Sequence, residues 1–242
     1  MSPLTDLTIV IPTRNKAANI EIFLASVPPE VELIIVDNSD DETAAIVRRR
    51  RPSRTVLLHC GGSLTIARET GARAARSRWL LFADADVRFS PSYFATLTKL
   101  LERSAGAALL FGSKLSADDY IGHYRRLSIA QGLLARLKIP AASGSTMLVT
   151  SEASAAVGGF DTSLPCNEDS ELGWRIARAG FAWRHEPRLV VYATDQRRLR
   201  RGPLRKTLHT VFRCTTLYLN LIPQRWRSHD WGYWRAMRRT TK

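Results

Sequence analysis

Four short apolar runs, each halted by a polar turn, constrain this fold more than any other feature. LTIVI (7–11) stops at Pro12, LIIV (33–36) stops at Asp37-Asn38-Ser39-Asp40-Asp41, TVLL spans 55–58, and WLLFA (79–83) stops at Asp84-Ala85-Asp86. Between them lie segments with helical character, at 17–26, 42–50 and 64–76. Strands that are apolar without interruption, alternating with helices, imply a mostly parallel sheet covered on both faces. The same alternation continues downstream. Helices are expected at 92–103 and 120–137, strands at 107–111 and 146–149, a helix from 170 to 179 closed by Gly180, and a strand at 189–192.

Sheets of this kind bind ligands at the carboxyl ends of their strands. Asp37 and the Asp84/Asp86 pair each follow a strand directly, so they are expected to meet at one edge. Three carboxylates gathered there repel one another unless a cation or donor groups compensate. Alternate aspartates can reach one hard cation such as Mg²⁺ or Mn²⁺ through oxygen, although an isolated DxD also serves as a solvated turn. Read alone, Asp169 could cap the helix that follows it, Asp37 the helix after its strand, and Arg68 could be a helix-face charge.

Taken together, IVIPTRN (9–15), IIVDNS (34–39), LTIARETGA (64–72), LLFADADV (80–87), GGFD (158–161) and NEDSELGWRIARAGF (167–181) resemble the family 2 glycosyltransferases, which have the GT-A fold. The resemblance spans about residues 7 to 192. It implies a nucleobase pocket lined by Pro12 and Thr13, with Asp37 bonded to the base and Arg68 near the nucleotide. It further implies that Asp84 holds the nucleoside or a metal-bound water, that Asp86 contacts the divalent ion (Mg²⁺ or Mn²⁺) on the diphosphate, and that Asp169 is the general base. Direct displacement from a UDP- or GDP-sugar, with inversion, is the implied reaction. Lys16 stands where an acidic residue often follows the IPTxN asparagine, ARNxG becomes Ala67-Arg68-Glu69-Thr70-Gly71, and DDGS becomes Asp37-Asn38-Ser39-Asp40. The QxxRW signature of processive synthases is missing, and Gln224-Arg225-Trp226 has the wrong spacing for it, which points to single transfer. A haloacid-dehalogenase-like phosphatase also sets DxD after a strand, but here the DxD comes too late in the chain. An inactive nucleotide-sugar binder is the other class of reading.

The net charge of +14 is unevenly placed. Residues 196–242 hold thirteen Lys and Arg against Asp230, so residues 1–195 carry only +2. This divides the chain into a catalytic domain (1–195) and a basic, Trp-rich tail (196–242). In the tail, Leu204, Leu208, Val211, Phe212, Thr215, Leu219 and Ile222 recur at helical spacing up to Pro223. Beyond them Trp226, Trp231, Tyr233 and Trp234 interleave with arginines. Such a segment suits an anionic membrane surface, or it packs on the catalytic domain and helps build the acceptor site. Nucleic-acid binding is a weaker reading of the same residues. A lipid-linked sugar acceptor would unite tail and enzyme. Three widely spaced cysteines, no secretory leader and no apolar run of about 18 to 20 residues point to the cytoplasmic side of a membrane.

Overall fold

The computed structural model describes residues 3–103, 106–195, 199–200, 202–223 and 227–228. After a short 3-10 turn come β1 (Leu7–Thr13), α1 (Ala17–Ala25), β2 (Glu32–Asp37), α2 (Thr43–Arg50), β3 (Thr55–His59), α3 (Leu64–Ala74) and β4 (Trp79–Phe82). There follow β5 (Val87–Phe89), α4 (Tyr93–Arg103), β6 (Ala107–Leu115), α5 (Ile121–Arg136), β7 (Met147–Thr150), α6 (Ser151–Ala156), α7 (Glu168–Arg178), β8 (Ala182–Ala193) and α8 (Pro203–Tyr218). Eight strands form one sheet in the order β3-β2-β1-β4-β7-β6-β8-β5. The first four run parallel, as does β6 beside β8, while β7 runs antiparallel to both its neighbours and β5 antiparallel to β8.

The apolar strands are continuous because both faces are covered. Successive side chains alternate between faces. Ile9, Ile11, Leu33, Ile35 and Leu81 join Phe23 of α1, Ile46 of α2 and Leu97 of α4 in one cluster. On the other face, Val10, Leu80 and Phe82 pack with Leu172 and Ile176 of α7, and Ile34 and Val36 pack with Ala67 of α3. In α3, Gly71 stands against β1 so closely that a Cβ there would collide with Val10 Cγ1.

The structure departs from the sequence expectations in the second half. β5 has only three residues, with Val87 and Phe89 buried and Arg88 exposed, too short to carry a periodic signal. β6 runs on through Gly112-Ser113-Lys114, and β8 begins at Ala182 with mixed polar residues. Both extensions were hidden by their polar content and by the register shifts where the two strands pair. Helix α7 starts two residues early, at Glu168, behind Asn167 in the left-handed conformation.

Helix α8 docks on α7 through Leu217, which joins Leu164, Trp174 and Ile222 in a small cluster with Cys214 and Tyr218. Its other side, Leu208, Val211 and Phe212, stays more than half exposed. The helix ends at Tyr218, ahead of Pro223, with Asn220 in a left-handed turn. Trp226, Trp231, Tyr233, Trp234, Arg225, Arg235, Arg238 and Arg239 lie outside the described residues, whereas Arg227 lies 3.6 Å from both Asp161 and Glu171. No helix among the described residues is long and apolar enough to cross a membrane.

Candidate active site

Parallel pairing brings the ends of β1 and β2 together, with Thr13 beside Asp37. Asp37 is buried, and its Oδ1 accepts from Thr13 Oγ1 at 2.5 Å and from Ser39 Oγ at 2.6 Å. Its Oδ2 takes no hydrogen bond among the described residues. Pro12, also buried, lies opposite Val36 in the ladder. The turn after β1 is tied across to the turn after β2. Asn15 N–H donates to Ser39 Oγ, Asp40 N–H to Asn15 Oδ1, and Lys16 N–H to Thr43 Oγ1. Thr13, Asp37 and Pro12 thus lie together at one end of the sheet.

A second group centres on Arg68. Helix α3 carries its guanidinium into the interior, where it is 2% exposed. It donates to Glu168 Oε1, to Asp84 Oδ1 at 2.7 Å and to the carbonyl of Gly144 at 3.1 Å. Burial opposes its charge, but Glu168, Asp84 and Asp169 outweigh that and hold it firmly cationic. Gly144 is required by this packing, since a Cβ would stand inside the guanidinium. The loop before β7 then closes the group. Ser145 Oγ donates to Asp84 Oδ2 at 2.5 Å, and Gly144 N–H donates to Asp169 Oδ2 at 2.6 Å. Asp169 lies in the first turn of α7, with Oδ1 on the N–H of Ser170. Asp84, Arg68 and Asp169, separated by up to 101 positions in the chain, are therefore joined through one glycine-serine turn.

The third group surrounds Asp86. Lys16 Nζ lies 2.9 Å from Asp86 Oδ2 and 3.7 Å from Asp195 Oδ2. Lys114 Nζ lies 3.7 Å from Asp86 Oδ1, 3.5 Å from Asp84 Oδ2 and 3.2 Å from Ser145 Oγ. Among the described residues no three His, Cys, Asp or Glu side chains are grouped as a complete metal cage. A hard cation held by one or two carboxylates with substrate phosphates and water needs no such cage. Asp86, with Asp84 beside it, has the right donor chemistry for that arrangement, and both carboxylates already have ammonium neighbours.

Several of these residues were not singled out from the sequence. Glu168 is buried and ion-paired with Arg68. Burial pushes its carboxyl up to about 7, with Arg68 pulling against it. The sequence marks its neighbour Asp169 instead, because the acidic run offers no sign of which member points inward. Lys114 and Ser145 come from segments without periodic pattern. Glu69, where the family pattern has asparagine, receives the N–H of Phe160 at 2.8 Å and the Nε of Arg73 at 2.6 Å. It thereby fixes the GGFD turn, whose Phe160 packs edge-on to Phe82 under the site.

The model of the glycosyl transferase family 2 matches residues 8–154, more than half of the chain. The chain belongs to glycosyl transferase family 2. Within the family it is 26% identical over 215 residues to the pre-mycofactocin glycosyltransferase of Mycobacterium tuberculosis, in strains CDC 1551 / Oshkosh and H37Rv. That match covers 84% of this chain and 46% of the relative, so the chain spans about half the length of the curated relatives it matches. Among solved structures, the mannosyltransferase PcManGT from Pyrobaculum calidifontis, in complex with GDP-Man and Mn²⁺, superposes with a TM-score of 0.63 at 23% identity, covering 81% of this chain and 60% of that one. S. aureus TarS 1-349 in complex with UDP-GlcNAc gives 0.64 at 16% identity, covering 78% and 58%. These likenesses establish the GT-A fold for the family 2 domain.

Proposed function

We propose that this family 2 domain transfers a sugar from a nucleoside-diphosphate donor to an acceptor hydroxyl, singly and with inversion at the anomeric carbon. One observation carries the reading: Arg68, Asp84 and Asp169 converge through the Gly144-Ser145 turn at the strand ends. Thr13 and Ser39 aim Asp37, leaving Oδ2 for a base N–H, while Pro12 and Thr13 line that pocket. Arg68 and Asp84 lie on the nucleotide side. Asp169 takes the proton of the acceptor hydroxyl as its oxygen bonds to the anomeric carbon and the bond to the diphosphate breaks. Negative charge then collects on the leaving diphosphate. A Mg²⁺ or Mn²⁺ ion on Asp86, when bound, supplies positive charge to those phosphate oxygens. The GDP-Man, Mn²⁺ and UDP-GlcNAc held by the structural neighbours support a UDP- or GDP-sugar donor and a divalent ion.

The acceptor in this reading is a lipid-linked or cell-envelope glycan on the inner face of the plasma membrane. The exposed apolar side of α8 and the thirteen basic residues of 196–242 support it. The test is a panel of UDP- and GDP-sugars, assayed by melting temperature and by released nucleoside diphosphate. A ligand at 100 times its dissociation constant adds about 2.7 kcal/mol, so one donor should raise the melting temperature clearly. Asp37→Ala should lose that rise. Asp169→Asn should keep it and lose transfer by roughly 10²- to 10⁴-fold, the range of a general base. Binding with no transfer to any acceptor by the wild type would instead identify a nucleotide-sugar binder. Absence of any shift would overturn the donor site.

A further inference from the structure

Immediately around Asp86 each carboxylate has a cation beside it. Asp84, Asp86 and Asp195 face Lys16, Lys114 and Arg68 across contacts of 2.7 to 3.7 Å. Both ammonium groups sit on the Asp86 carboxylate, one on each oxygen. A divalent ion is attracted to uncompensated carboxylates. Here the carboxylate that would receive it already has two cations.

The lysines are also placed to do more than neutralise. Lys16 caps the start of α1, and its backbone is fixed by Thr43 Oγ1. Lys114 stands in β6, a strand paired on both sides. Their side chains are 17% and 22% exposed, beside Asp86 at 17% and Asp84 at 27%, so the cluster opens to solvent at the end of the sheet. An ammonium group offers three donors and binds phosphate as a point charge. An ammonium group turns on a flexible stem, so each lysine can exchange one of these neighbours for a phosphate oxygen.

We propose that Lys16 and Lys114 form a built-in cationic clamp for the donor diphosphate, so that this chain binds nucleoside diphosphate without a divalent ion. The proposal rests on the donor-site reading above and concerns the binding step. Any Mg²⁺ or Mn²⁺ then adds to the transfer rate and is not needed for affinity. Lys16 occupies a position where the family pattern often has an acid, which makes the clamp a property of this sequence.

Calorimetric titration of the full chain with UDP and GDP, in EDTA and in Mn²⁺, tests it directly. The wild type should bind one of them with nearly equal affinity in both buffers. Lys16→Ala and Lys114→Ala should each weaken binding in EDTA by roughly ten-fold or more, the scale of one charge-assisted hydrogen bond. The double variant should bind better in Mn²⁺ than in EDTA, because an ion on Asp86 then supplies the positive charge that the lysines no longer give the diphosphate. Melting curves without ligand check that the variants fold, and Lys16→Arg, which keeps the charge, should retain EDTA-resistant binding. Wild-type binding that occurs in Mn²⁺ and vanishes in EDTA overturns the clamp while leaving the donor site intact. Alanine variants that bind as well as the wild type in EDTA overturn it too. No binding in either buffer overturns the donor-site reading itself.

Discussion

At the scale of single residues, the pair formed by Arg68 and Glu168 sets the electrostatic character of the site. Both are nearly inaccessible, and a buried pair gives a weak net contribution while the loss of either partner is costly. Glu168 has a consequence that can be measured. The unfolded chain releases this proton near the ordinary value of 4.5, whereas burial holds it in the folded protein up to about 7. Between those values the folded state binds more protons than the unfolded state, so this group's contribution to stability is complete below 4.5 and is lost as pH rises toward 7. Chemical denaturation across that range should therefore show a falling component in the wild type. Glu168→Gln, which cannot ionise, should lack it. An identical pH profile in both proteins would refute the assignment. The places of Asp37, Asp84, Asp86 and Asp169 were legible in the sequence, because each occupies a strand end or helix start, whereas Arg68, inside α3, was marked by the family motif alone. Glu168, Lys114 and Ser145 were not, since their importance comes from pairings across at least 28 positions. No local pattern records such contacts.

At the scale of elements, strand ends and helix starts could be placed from the sequence wherever apolar runs were continuous. β1, β2, β3 and β4 fall where they were expected, and so do the helices between them. The reading was weaker for β5, β6 and β8, whose polar and irregular stretches make their strand character visible only through pairing. The packing of α3 on β1 gives a further prediction. Gly71→Ala would normally favour a helix, by up to about 1 kcal/mol. Here the added methyl group must displace Val10 Cγ1 in a fully buried strand. Overpacking of this kind costs about 1–3 kcal/mol, so the substitution should lower stability in urea denaturation. A gain in stability would mean that α3 can lift from the sheet without cost.

The whole molecule has two chemically different surfaces. One carries the strand ends and their charged cluster, and beside it α8, docked on α7, turns its apolar side outward. If α8 meets a lipid surface, the wild-type chain should sediment with vesicles containing anionic phospholipid, less with zwitterionic vesicles, and less in high salt. Phe212→Glu removes a side chain whose burial contributes about 1.5–3 kcal/mol, so vesicle affinity should fall by roughly ten-fold or more. Equal binding by the variant would mean that the basic residues act without α8, or that its outer side meets another partner. The separation of charge between residues 1–195 and 196–242 was plain in the sequence. That α8 would turn Leu217 inward and Phe212 outward was not, because the helical spacing marked Phe212 and left Leu217 out, and only Trp174 and Leu164 decide which side is covered.

The position of β8 affects how this protein comes into being. It is the last strand among the described residues, yet it lies between β6 and β5. During synthesis the first four strands can pair with one another, while β5 has no neighbour until residues 182–193 leave the ribosome. Late, distant pairing of this type slows folding and leaves strand edges open to other chains. The family match stops at residue 154, before β8 begins. A gene fragment cut to that match would encode four of the six motif blocks, lose Asp169 and leave the sheet unfinished.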